Sequence, residues 1–387
     1  MRVVVCGDCH IGAIFGLGNS NGKGGNTRVD DYEKSLNYIV DYTIDTGADV
    51  FVQTGDIFEH RNPSPEHINV ADRALKRLSE AGVVTAVIMG NHDYKKTGEG
   101  FTSSILSLSA KDYPNVRLII EPEIMSVTSS DGDKTNIVLL PYRDRRMYPG
   151  ENNREQSEGY DDHVKGLISS LNKDSTTIAI GHNFFYEGSY NDYGGSELLA
   201  SPKAFEGCDI VMMGHLHQFR IVRKRTPVCV YVGSMEKSNF GDSDIDKYFV
   251  DYDIEQKKPK ICKIPVRDLI DTAIDLTDED FSSFEPRLSK EIDELNLDDK
   301  VVRVKILAKE SLIPALDRAK ITKELYSGGA FFVSKVIVEA VAAKVVRDIS
   351  ILKHKDDYSM FEAFINSQLI DDDMKSLVLE QAKGIMV

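Results

Sequence analysis

The chain lacks any uninterrupted apolar run of about 18 residues, which excludes a conventional membrane-spanning helix. Its opening residues, MRVVVCGDCH, hold no apolar stretch long enough for a signal peptide. Cysteine is scarce. Cys6, Cys9, Cys208, Cys229 and Cys262 form an odd, scattered set, which argues against a disulfide scaffold and for a reducing cytoplasm. Cys6 and Cys9 have the spacing of half a zinc knuckle, but no second pair follows. Positive charge is in deficit too, with a formal net charge of -15. That excludes a chain coated in positive field. It leaves nucleic acid open, because affinity depends on where the basic residues lie. Arg143, Arg145 and Arg146 form one small basic group, and Arg220, Arg223, Lys224 and Arg225 another; either is a candidate for phosphate contact.

What is present is a chain of 387 residues, 41% hydrophobic, enough for one large domain and a smaller one. In the first half two periods alternate. RVVVCG, ADVFVQTG and VVTAVIMG read as short buried strands, with helices between them. The second of these helices has Ser64 as N-cap, Pro65 at its first position and Gly82 as its stop. NIVLLPY, a helix near 161–172, TTIAIGH and CDIVMMGH continue the pattern, which predicts an α/β sheet with helices outside. CVYVGS and DKYFVDYDI read as a pair of antiparallel strands of a second sheet. Residues 271–300 then carry eleven acidic side chains against three basic ones. Beyond them VVRVKILAK, LIPALDRAKITKELYS and AFFVSKVIVEAVAA suffice for a small α/β domain. YSMFEAFINSQLI and MKSLVLEQAKGIM predict two final helices, the first with Met360, Phe361, Phe364 and Ile365 on one face. Periodicity allows this hairpin to pack on its own body or to dock another protein.

The apolar strands share one feature at their C-terminal ends. Their tips read GDCH, TGD, GNHD, GH and GHLH, supplying Asp8, His10, Asp56, Asn91, His92, Asp93, His182, His215 and His217. In an open α/β sheet these ends form the usual site crevice. Of nine histidines, five sit at these tips, so a purely structural role for them is disfavoured. Carboxylate, imidazole and amide together suit Mn²⁺, Fe²⁺ or Zn²⁺ better than an all-oxygen site. The set exceeds what one tetrahedral zinc needs and suits two ions about 3.5–4 Å apart, the pair that assists displacement at phosphorus. A dinuclear hydrolase is the reading. GLGNSNGKGGNT, at 16–27, has neither P-loop nor dinucleotide spacing, and reads as a flexible insertion beside the site.

The order D-x-H, G-D, G-N-H-D, G-H and G-H-x-H resembles the calcineurin-like metallophosphoesterases. GDIFEHRNPSPEH and YVGSMEKSNFGD, at 231–242, resemble the Mre11/SbcD branch of DNA double-strand-break repair nucleases. The resemblance covers residues 1–260 well and the rest in layout only. It implies a two-sheet α/β sandwich flanked by helices, with a nuclease domain at 1–265, a capping domain at 266–345 and a C-terminal helix-loop-helix at 346–387. One metal ion would take Asp8, His10, Asp56 and His217; the other Asp56, Asn91, His182 and His215. Two Mn²⁺ ions are expected, with Fe²⁺, Zn²⁺ or Mg²⁺ as alternatives. His92 would face the scissile phosphate, and Asp93 would orient it. The expected partners are DNA ends and single strands, and a Rad50/SbcC-like ATPase docked on the C-terminal helices. A second copy would pack through the two early helices, where Ile39, Ile44, Leu75 and Leu78 could equally be core. Cytoplasm, nucleoid-associated or that of a viral host, is the expected location. Glu59 stands where many family members carry histidine, which leaves that position's role open. A small-molecule cyclic or nucleotide phosphodiesterase, and a silent scaffold for an ATPase, are the rival functions.

Overall fold

The computed structural model describes residues 1–22, 25–98, 100–128, 132, 134–172, 175–185, 197–341, 357–367 and 372–386. Two six-stranded sheets face each other. In the first, Arg2–Cys6, Val50–Gln53, Val84–Ile88 and Val116–Ile119 run parallel, and Tyr248–Asp253 and Lys258–Lys263 continue it antiparallel beside Arg2–Cys6. In the second, Val228–Tyr231, Ile210–Gly214, Thr176–His182 and Lys134–Leu140 are parallel, with antiparallel edges at Arg220–Arg223 and Glu123–Thr128.

Alternation along each strand sends side chains to two buried faces, so the strands read as continuous apolar runs. Val3, Val5, Val50, Val52 and Ile88 meet Ile137, Leu139, Ile178, Ile180 and Met212 between the sheets. On the outer face of the first sheet, Val4, Phe51 and Val87 pack under two helices, α1 (Thr27–Asp45) and α2 (Pro65–Glu80). Ser64 caps α2, its side chain accepting from the His67 amide. The helix expected near 161–172 is α3 (Asn153–Ser169); it starts earlier, at the Asn152 cap, and covers the second sheet with Tyr160 and Val164.

CVYVGS and DKYFVDYDI do not pair. Val228–Tyr231 joins the second sheet, parallel to Ile210–Gly214, whereas Tyr248–Asp253 returns to the first, antiparallel to Arg2–Cys6. Ile39, Leu75 and Leu78 are buried in the cluster beneath α1 and α2, with Ile44 packed against it. Ile39, Leu75 and Leu78 are therefore core residues of this chain, and Ile44 is partly exposed at the edge of that core.

A third sheet of Leu269–Leu276, Val301–Lys309 and Phe332–Val341 is all parallel, with α4 (Phe284–Glu294) and α5 (Arg318–Ser327) closing its own apolar cluster. A buried ion network ties this unit to the sandwich. Arg28, wholly buried, pairs with Asp31 and Glu236, and Asp31 also pairs with Arg267, which reaches Asp299. The Gly/Asn-rich insertion is held at this junction. Leu17 is buried with Phe240, Leu269 and Val301, and the Ser334 hydroxyl donates to the Gly16 carbonyl at 2.9 Å. Finally, α6 (Asp357–Ser367) and α7 (Asp372–Met386) form a hairpin-like pair, the Tyr358 hydroxyl donating to the Leu379 carbonyl at 3.3 Å. Residues 342–356, including the expected boundary at 345/346, lie outside the described residues. Among those described, no helix is long and apolar enough to cross a membrane.

Candidate metal centre

The sheets bring their strand tips together at one edge of the sandwich, and the tips approach closely because of their glycines. A Cβ on Gly90 would stand 2.1 Å from Asp56 Oδ1 and 2.2 Å from the Asp56 nitrogen. One on Gly214 would stand 2.4 Å from Asp8 Oδ1. Only glycine admits such contact. The loops are also bent sharply. His10, Asp56 and His215 adopt φ of 47°, 54° and 81°, a left-handed conformation uncommon outside glycine. Such backbone persists where the surroundings over-determine it, and it collects at functional sites. Here the Asp56 carbonyl accepts from the Cys9 and His10 amides, Asp56 Oδ1 from the His92 amide, and the Asp8 carboxylate from the His215 amide.

Three groups of metal-capable atoms result among the described residues, Asp8, His10 and His217 in the first, Asp56, His182 and His215 in the second, and His10, Glu59 and His92 in a third that shares His10 with the first. Asp56 Oδ2 lies 3.6 Å from His10 Nε2 and 3.4 Å from His182 Nε2, so it stands between the clusters. Asn91 Oδ1 completes the second, 2.8 Å from His182 Nε2 and 2.9 Å from His215 Nδ1. All seven residues named from sequence as ligands converge in this way.

Hydrogen bonds on the far side of the rings fix which nitrogen faces inward. His182 Nδ1–H donates to the Thr54 carbonyl at 3.0 Å, and His10 Nδ1–H to Glu59 Oε2 at 2.8 Å. Each ring then turns Nε2 towards the centre, the nitrogen left for a metal when Nδ1–H is held by an outer acceptor. His10 Nε2 faces His217 Nε2 at 3.0 Å. Two imidazole nitrogens this close, backed by buried carboxylates, need a cation or a proton between them. Donor chemistry and geometry therefore fit divalent ions.

Electrostatics agree. Burial pushes the Asp56 carboxyl up, but His182, with His10 and His92, outweighs it and holds it well below the usual carboxylate range. Burial pushes His182 down, yet the charges of Asp56 and Asp8 bring it up to about 9. His215 is held down at about 3 by burial and by the neighbouring His182 charge.

His92 stands outside the first two groups and belongs to the third, with His10 and Glu59. Its side chain is about a third exposed and lines, with Glu59, His60, Arg61, Asn62 and Asn91, an open cavity of about 490 Å³. Asp93 does not orient it. Wholly buried, Asp93 accepts from the backbone of Ile57, Phe58 and Gly90 and from the Ser104 hydroxyl, bracing the Asp56 loop against the Asn91 loop. Its burial and the Asp56 charge push its carboxyl up to about 6. The acceptor for His92 Nδ1–H is the Glu59 carbonyl, at 2.8 Å. Sequence reasoning also missed Phe184, whose ring centre lies 4.0 Å from that of His215. Of the basic groups, Arg143 pairs with Glu121 and Arg146 with Asp144.

A family model described as calcineurin-like phosphoesterase matches residues 1–219. Among solved structures, a dimetal phosphatase from Danio rerio is 11% identical, covering 68% of this chain and 99% of its own, with a TM-score of 0.44. A Thermus thermophilus protein is 13% identical over 68% and 99% of the two chains, with a TM-score of 0.42. An archaeal phosphodiesterase, 13% identical over 68% and 100%, has a TM-score of 0.33.

Proposed function

This chain belongs to the calcineurin-like phosphoesterase family, and we propose that it is a DNA phosphodiesterase of the Mre11/SbcD type, cutting DNA ends and single strands with two divalent ions, Mn²⁺ first among them. The observation that carries the phosphodiesterase reading is the convergence of Asp8, His10, His217, Asp56, Asn91, His182 and His215 at one strand-tip crevice. When bound, two ions supply Lewis acidity to a phosphoryl oxygen and lower the pKa of water. One ion would be held by Asp8, His10, Asp56 and His217, the other by Asp56, Asn91, His182 and His215.

The protein's own part is orientation and proton handling. With Nδ1–H committed to the Glu59 carbonyl, His92 presents Nε2 towards the open cavity, placed to meet a phosphoryl or leaving-group oxygen. Phe184 packs on His215 and shields that side of the crevice. The choice of DNA rests on the GDIFEHRNPSPEH and YVGSMEKSNFGD segments. The second is part of the site wall, since the Met235 amide donates to the Asp8 carbonyl at 2.9 Å. It is supported further by the third sheet and the hairpin of α6 and α7, which a small-molecule hydrolase has no need of.

The test is purified protein with Mn²⁺, end-labelled single- and double-stranded DNA, and bis-p-nitrophenyl phosphate. DNA cleavage reduced at least 100-fold by His92→Ala, with metal binding retained, is the expected result. Turnover of the generic diester with intact DNA would overturn the DNA reading and favour a small-molecule diester. For the partner, deletion of residues 357–386 from the full chain should abolish co-purification with a Rad50/SbcC-like ATPase. Unchanged co-purification would refute docking through these helices.

A further inference from the structure

Glu59 touches both halves of the site through different atoms. Its carboxylate Oε2 accepts from His10 Nδ1–H at 2.8 Å, and its backbone carbonyl accepts from His92 Nδ1–H at 2.8 Å. It is a half-buried residue at the lip of the cavity that His92 lines, and its other oxygen, Oε1, stays 3.7 Å from His92 Nδ1. The two histidines themselves meet edge to face, ring centres 4.8 Å apart. Its backbone is anchored too, the Glu59 amide donating to the Ile11 carbonyl at 3.1 Å, so the residue is pinned to the loop that carries His10. A histidine here would have no carboxylate to place against His10 Nδ1.

We infer that Glu59 is a positioning residue that serves one ion only: its carboxylate fixes the tautomer and basicity of His10, and so sets the affinity of the ion shared by Asp8, His10, Asp56 and His217. On the other side of the site, His182 has its outer acceptor elsewhere, at the Thr54 carbonyl. The side chain of Glu59 is not what holds His92, because that bond comes from the main chain. Substitution at residue 59 should therefore separate two properties that share one loop.

This inference rests on the two-ion reading of the site, and the experiment distinguishes the failure of either. Mn²⁺ is titrated calorimetrically into the metal-stripped full chain, as wild type, Glu59→Gln and Glu59→Ala, with bis-p-nitrophenyl phosphate turnover followed across metal concentration. Wild type should show two binding events. Glu59→Ala should weaken one of them by about 10–100-fold and leave the other within about twofold. Its kcat should recover at saturating Mn²⁺, because His92 keeps its acceptor. Glu59→Gln, which retains an oxygen acceptor without the charge, should fall between. Metal-free melting temperatures of the three proteins should agree, which separates positioning from a folding defect. Two unchanged binding events in Glu59→Ala would overturn the inference, as would equal weakening of both or a kcat loss that metal does not restore. Fewer than two events in wild type would instead overturn the two-ion reading.

Discussion

Replacing Gly90 by alanine tests whether close packing of the strand tips, rather than ligand identity alone, makes the site. Gly90 has no positive φ, so alanine is compatible with its backbone, and the cost is purely steric. The new methyl would lie 2.2 Å from the Asp56 nitrogen, more than 1 Å inside ordinary contact. The obstacle is main chain, which cannot swing aside as a side-chain tip can. Either the Asn91 loop or the Asp56 loop must move by about 1 Å, and movement of Asp56 drags the His10 loop through the Cys9 and His10 amides. Overpacking of this kind costs about 1–3 kcal/mol in stability. A 1 Å misplacement of ligands costs about 100-fold in rate. Gly166→Ala is the control, in the interior of α3 with nothing within 4 Å of the added methyl. It should stabilise by about 0.5–1 kcal/mol and leave turnover unchanged. The assay is kcat/KM for bis-p-nitrophenyl phosphate at saturating Mn²⁺, with urea unfolding alongside. Gly90→Ala within threefold of wild type in kcat/KM would refute the reasoning.

Asp161, buried on α3, accepts from the Ser201 amide at 2.9 Å, and burial pushes its carboxyl up to about 7. A raised carboxyl is most favourable below its unfolded value near about 4 and loses that stability as pH rises through about 7. Asp161→Asn should therefore match wild type near pH 4 and exceed it by about 2 kcal/mol at pH 8 in denaturant melts, allowing for relaxation around the charge; equal stability at both pH values would count against it. Arg28→Met should cost about 3 kcal/mol, because it leaves the buried Glu236 carboxylate without its cation. Adding Glu236→Gln should recover part of that loss, and strictly additive losses in urea unfolding would contradict a direct pair.

Much of the site is legible in the sequence because the strands are buried on both faces. Such strands are short apolar runs with abrupt polar ends, and in a parallel sheet those ends must lie together. What stayed hidden depends on partners that no local pattern names. Alternation marks 228–231 and 248–253 as strands, but it does not say that they belong to opposite sheets. Asp93 follows His92 in sequence, yet successive residues of the turn face opposite ways. The histidine looks to the cavity, and the aspartate turns inward to three backbone amides. Glu59 could be marked as a departure from a family pattern, but its reach to His10, 49 positions away, is a property of the folded loops.

The same carboxylates that would serve the ions also brace the loops that bring the other candidate ligands. Asp8 accepts the His215 amide through both oxygens, at 3.0 and 2.9 Å, and Asp56 accepts the His92 amide at 2.7 Å. His215 and Asp56 are themselves two of the residues in left-handed backbone. The strain at these positions is thus balanced by hydrogen bonds from across the crevice, made to charged acceptors in a buried setting where such bonds are strong. The donor atoms are consequently held together by hydrogen bonds of the fold itself. A divalent ion held there would take the place of the contact between His10 and His217, and it would not need to order the chain. Preorganisation of this kind lets catalytic geometry rest on packed strands while the chemistry is carried at their tips.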